Sequence, residues 1–140
     1  MKVRLTILAL ALTACGGSPQ PGDPGYSYNL SGEYVGEIAA DDGSVFEAIF
    51  QLETLPGGEI QGTMSISEPM SISGEVSGLI IGAEAMIELT YYIADAGCGG
   101  AAEGTAVVEE GGVGATGTLE ITLDECGGGP SSMTITMTRN

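Results

Sequence analysis

Apolar and polar residues alternate with a period of two from Tyr34 to Met137, and no window carries a helical period. In the stretch 44–53, Phe46, Ala48, Phe50 and Leu52 face one way, while Glu47, Gln51 and Glu53 face the other. The pattern recurs in Tyr34/Gly36/Ile38, Ile60/Gly62/Met64/Ile66, Met70/Ile72/Gly74/Val76 and Ala85/Ile87/Leu89/Tyr91. It continues in Gly104/Ala106/Val108, in Val113 through every second residue to Leu123, and in Met133/Ile135/Met137. Eight strands follow, over about 31–40, 44–54, 59–67, 70–81, 84–93, 101–109, 112–123 and 132–139. A chain patterned in this way must bury one face of each strand, as a sandwich or a barrel does.

Short connections point to sequential hairpins, an antiparallel meander. Asp41-Asp42-Gly43 suits a three-residue hairpin loop with glycine in the left-handed position, which sets Tyr34 opposite Phe50 and Gly36 opposite Ala48. It also sets Glu37 against Glu47 on the outer face, a mildly destabilising contact. A three-residue loop at Ser67-Glu68-Pro69 pairs Ile66 with Met70 and Gly62 with Gly74. A turn at Glu110-Gly111 pairs Val108 with Val113 and Gly104 with Gly117. Inward glycines on adjacent strands are costly unless the sheet must coil sharply, and a small closed barrel demands that coiling. Closure also removes exposed edges. The fold expected is a single eight-stranded antiparallel up-and-down β-barrel. In that topology the loops after strands one, three, five and seven share the end away from the termini, the distal end.

Upstream, Lys2 and Arg4 precede a ten-residue apolar run, Leu5 to Ala14, which ends in small residues at Cys15. This is half the length of a spanning helix and reads as an export signal. Leu12-Thr13-Ala14-Cys15 resembles the lipobox of bacterial lipoproteins. The resemblance implies a signal peptide at 1–14 and a lipid-modified Cys15 as the first mature residue. It also implies a membrane partner reached through two or three acyl chains, enough for stable anchoring. Gly16 after the cysteine favours the outer membrane in a Gram-negative cell. The sequence GGSPQPGDPG after Cys15 reads as a tether, 15–25, ahead of a barrel domain at 26–140.

All 19 acidic residues lie beyond the signal, so losing Lys2 and Arg4 takes the formal charge from −16 to −18. Such a surface repels nucleic acid as a partner; it reads first as solubility or adaptation to salt, and after that as attraction of a basic protein partner or binding of divalent cations. Cys98 and Cys126 remain as an even pair among glycines, which predicts a disulfide in an oxidising compartment. Both fall at the distal end.

The chain has no histidine, which removes His-dependent nucleophilic triads and the usual zinc ligand sets. Gly74-Glu75-Val76-Ser77-Gly78 has its serine misplaced for G-x-S-x-G, and no phosphate-binding G-x-x-x-x-G-K-[ST] occurs. The reading is non-enzymatic and without a cofactor. Asp41, Asp42, Glu68, Asp95, Asp124 and Glu125 gather at the distal end as weak calcium candidates, but no EF-hand spacing joins them.

Strand count and alternation resemble the calycin-type barrels, the lipocalins and avidins, although their Gly-x-Trp signature is missing because the chain has no tryptophan. The resemblance implies an interior ligand site, for which Tyr34, Phe46, Phe50 and Tyr91 are the aromatic candidates. Strands of eight to ten residues favour a filled interior instead, and a carrier would need roughly 300 Å³ or more. The function expected is therefore a lipid-anchored, non-catalytic binding module acting through its distal loops. The alternatives are a carrier of a small apolar ligand or an envelope inhibitor of a basic enzyme such as a lysozyme or protease.

Overall fold

The computed structural model describes residues 18–140. The expected signal peptide and Cys15 lie outside the described residues. Eight strands run in order: β1 (Gly32–Ala40), β2 (Val45–Thr54), β3 (Glu59–Ile66), β4 (Ile72–Ile81), β5 (Glu84–Ile93), β6 (Cys98–Val108), β7 (Gly114–Asp124) and β8 (Ser132–Arg139). Each pairs antiparallel with its neighbours and β1 closes on β8, giving the expected up-and-down barrel.

The first hairpin has the expected register, with Tyr34 opposite Phe50, Gly36 opposite Ala48 and Glu37 opposite Glu47. Gly43 takes φ +94°, and the Ala40 N–H bonds the Ser44 carbonyl across the loop at 2.8 Å. Two other hairpins differ by two residues. Ile66 pairs with Ile72 rather than Met70, because Ser67–Ser71 loops out. Val108 pairs with Ala115 rather than Val113, because a 3-10 turn at Glu110–Gly112 widens the connection. A shift of two preserves which face each paired side chain takes, so the partners change while the inward set of the paired residues survives; Val113 alone is drawn into the widened turn and exposed.

The expected glycine pairs therefore do not form. Gly62 lies between Leu52 and Val76, and Gly104 between Ile87 and Leu119. A Cβ on Gly62 would collide with the Gln51 carbonyl oxygen, and one on Gly104 with that of Thr118. Each glycine thus lets a neighbouring strand bend in close while large side chains on both sides fill the gap. Coiling remains the reason for the glycines, and large-against-small packing replaces glycine-against-glycine.

On the outer face Glu103 stands directly between Glu88 on β5 and Glu120 on β7. Replacing Glu103 with glutamine removes two like-charge contacts and should raise Tm by roughly 2 to 4 °C at low ionic strength. Thermal melts should show that gain shrinking at high salt, and a gain insensitive to salt would exclude repulsion as its source.

The end opposite the distal loops is strapped shut. Residues 20–31 cross it and bond all three of its loops: Pro21 carbonyl with Gly57 N–H (3.2 Å), Tyr26 hydroxyl with Gly82 carbonyl (2.8 Å), Ser27 carbonyl with Gly111 N–H (2.7 Å). Asn29 holds the strap's own turn, accepting from Gly22 N–H at 2.9 Å and donating to the Asp23 carbonyl. Thus the part of segment 15–25 from Gln20 onward is tied to the barrel. Its missing apolar residues gave no sign of this, because the ties are backbone hydrogen bonds.

Leu30 enters the barrel from the strap and is fully buried. The Thr54 hydroxyl accepts from its N–H (2.8 Å) and donates to its carbonyl (3.0 Å). Beside it the buried Tyr34 hydroxyl donates to Gly112 carbonyl at 2.7 Å and accepts from Ser31 N–H at 3.1 Å. Arg139 reaches the same hydroxyl at 3.2 Å, with its guanidinium 5.6 Å from the ring centroid. Leu30 and Tyr34 together plug this end, and the Leu30 N–H and carbonyl and the Tyr34 hydroxyl are all hydrogen-bonded, as burial requires.

Candidate functional site

The barrel interior is not filled along its whole length. Around Leu30, Phe50, Leu119 and Met137 only about 30 Å³ is empty. Toward the distal loops the interior opens into a cup of about 240 Å³. Its apolar wall includes Ile38, Phe46, Met64, Ile66, Ile72, Leu89, Ile121 and Met133, with Ala40, Met70, Ile93 and Pro130 also contributing. Asp42, Ser44, Tyr91 and Asp124 supply its polar groups. The expectation of a filled interior thus holds for the strapped half and fails for the distal half. The volume falls somewhat short of the roughly 300 Å³ typical for drug-sized ligands. It exceeds the roughly 150 Å³ that suffices for a benzene-sized guest.

The reason lies in what each end puts inside. At the strapped end Leu30 and Tyr34 occupy the axis. No segment plays that part distally, where small residues, Ala40, Ser44 and Gly129, stand on the wall.

The rim of the cup is held by several ties. Cys98, the first residue of β6, is bonded to Cys126 in the β7–β8 loop, with Cα atoms 5.4 Å apart. Asp124 caps that loop: one carboxylate oxygen accepts from Cys126 and Gly127 N–H, the other from Gly129 N–H, all at 3.0 Å. Asp41 holds the loop's far end, accepting from Ser131 N–H at 3.0 Å and Ser131 hydroxyl at 2.6 Å. Across the mouth, Asp95 accepts from Ser71 N–H at 3.2 Å, joining the β3–β4 and β5–β6 loops. Asp42 accepts from Ser44 N–H at 2.9 Å within its own turn.

These bonds bear on the charges. The Ser131 hydrogen bonds hold the Asp41 carboxyl below its ordinary range. The Gly129 and Gly127 amides do the same for Asp124. Burial, then the neighbouring Asp124 charge, pushes the Tyr91 phenol up. At neutral pH the rim therefore carries two firmly ionised carboxylates beside a protonated phenol.

The sign of the resulting pH dependence follows from proton counting. Asp41 and Asp124 bind protons less readily folded than unfolded, so their contribution is full above the ordinary value of 3.8. It is lost as pH falls through their lower folded values. Urea unfolding across the acid range should show this loss, and Asp124→Asn should flatten it. An unchanged slope in that variant would exclude Asp124 as a source.

The six calcium candidates are not drawn into one site. Asp42 and Asp124 accept backbone N–H bonds within their own turns, Asp41 and Asp95 accept them from other loops, and among the described residues no group of three or more potential ligands converges. Of the four aromatic candidates, Phe46 and Tyr91 line the cup. Tyr34 belongs to the plug, and Phe50 lines the small void beneath the cup.

Asp124 reaches the cup against the alternation of its strand. Alternation puts Leu123 inward and Asp124 outward. A β-bulge leaves Thr122 without a partner, since Ala101 pairs with Leu123 but Ala102 with Ile121. The extra residue reverses the faces beyond it. Leu123 is consequently 52% exposed, and Asp124 lines the cup. No protein-family model, curated protein or solved structure matches the chain.

Proposed function

We propose that this protein is a lipid-anchored, non-catalytic binding module of the cell envelope that works through its distal end. The observation that carries this reading is the apolar cup at that end, with a rim fixed by the Cys98–Cys126 disulfide and by Asp41 and Asp124. A preformed concave apolar surface with a few oriented polar groups is the usual form of a binding site. The cup specifically favours the carrier variant of the reading, in which a small apolar ligand sits in the barrel mouth.

Anchoring through Cys15 agrees with the strap. Only four residues separate Cys15 from Gln20, and the five Cα–Cα steps reach at most about 17 Å, so lipid at Cys15 would hold the strapped end close to the bilayer. The cup would then face away from the membrane. Gly16 after the cysteine supports the outer membrane if the cell is Gram-negative.

Native mass spectrometry on a soluble Cys15→Ser form purified from its own envelope tests the binding function. A stoichiometric small apolar compound, or a basic protein partner, is the expected result. Bare chain under conditions that preserve weak complexes would count against it. Intact mass of the wild-type chain tests the anchor: an acylated N-terminus at Cys15 supports it, and an unmodified one removes it.

A further inference from the structure

We infer that the cup selects an amphipathic cation: an apolar body of about eight carbons or fewer, bearing one positively charged head at the rim. The inference rests on the reading of the cup as a binding site and adds the chemical class of its occupant. The body follows from the wall, which is almost wholly aliphatic and aromatic around about 240 Å³.

The head follows from the rim. Two of the cup's polar residues, Asp42 and Asp124, are carboxylates, and no cation stands near them. Arg139, the one Lys or Arg among the described residues, sits at the strapped end on the Tyr34 hydroxyl. A carboxylate offers about four acceptor positions. Asp124 uses three on backbone amides, which fix its orientation and leave acceptor capacity for a ligand donor. Asp42 uses one, on Ser44 N–H. The wall also carries two aromatic residues, Phe46 and Tyr91, the residue type to which a cation can add a favourable contact. A carboxylate or phosphate head would meet uncompensated negative charge at the same place.

Three probes of matched length separate the contributions: octylammonium, 1-octanol and octanoate, titrated calorimetrically into the soluble Cys15→Ser form at low ionic strength. Octylammonium should bind roughly fivefold tighter than 1-octanol, the scale of one partly exposed charge pair, with octanoate weakest. The preference should narrow as salt is added, while 1-octanol binding holds or strengthens. Asp42→Asn keeps an acceptor for Ser44 N–H and should reduce octylammonium binding about threefold, more than it reduces 1-octanol binding. Equal binding of all three probes, or a preference insensitive to salt, overturns the cation assignment and leaves the cup standing. Failure of all three probes to bind removes both the assignment and the cup as a binding site. The salt series uses the unmutated rim, so it decides the matter even if Asp42→Asn disturbs its turn.

Discussion

Replacing Cys98 and Cys126 together with alanine should lower the unfolding free energy by about 3.5 kcal/mol, the chain-entropy value for a loop closed over a separation of 28 residues. The loss should be uneven in space. Asp41 still holds Ser131 and Asp124 still caps the loop start, so the β7–β8 connection stays near the mouth. What disappears is its fixed link to the first residue of β6. Amides in the loop 125–131 should exchange faster, and 1-octanol should bind more weakly because Cys126, Gly129 and Pro130 belong to the cup wall. Urea unfolding and hydrogen exchange check both parts. A cost below about 1 kcal/mol would mean that the remaining ties already restrict the loop.

Leu30→Ala should cost about 3 kcal/mol, within the range for a buried leucine whose surroundings cannot collapse. Leu30 is fully buried inside a closed barrel, and its backbone is fixed on both sides by the Thr54 hydroxyl. The walls around it cannot move inward without breaking the ladder that closes β1 on β8. The cavity therefore persists and adds to the small void beside Phe50. Unlike the cysteine replacement, this change lies at the strapped end and should leave 1-octanol binding nearly intact. Stability measured by urea unfolding, with binding measured in parallel, separates the two ends of the barrel. Equal loss of binding in both variants would show that the cup depends on global stability rather than on its own rim.

Much of this fold is legible in the sequence because side-chain direction in a strand has a period of two. Tyr34, Phe50, Met64, Val76 and Leu89 all lie inside, as alternation requires. The same periodicity explains why two hairpin registers could be off by two residues while the side chains within the paired strands kept their faces; only Val113, drawn into the widened connection, left the interior. A displacement of one residue has no such protection. The bulge at Thr122 reverses Leu123 and Asp124, and nothing in the local composition announces it.

The site was harder to read than the fold, for a different physical reason. Alternation tells inward from outward but not how deep along the barrel axis a residue sits. Phe46 and Phe50 are equivalent by pattern, yet Phe46 lines the cup and Phe50 the packed half. Depth is decided by the strap, whose Leu30 fills one end and leaves the other open. Its first part, up to Gly25, reads as tether because it carries no apolar residue and meets the barrel through the Pro21 carbonyl, a backbone group. The disulfide needed no such information, since two cysteines remain once Cys15 is set aside.

The methionine methyl groups offer the most direct test of where binding occurs. Met64, Met70 and Met133 line the cup, Met137 lies in the packed half, and Met86 is exposed on the outer face. In a methyl-labelled NMR titration with octylammonium, the resonances of Met64, Met70 and Met133 should shift together and saturate. Those of Met86 and Met137 should stay in place. Saturable shifts at Met86 with none at the three cup methionines would put the binding surface on the outside of the barrel, and the distal cup would no longer be the site.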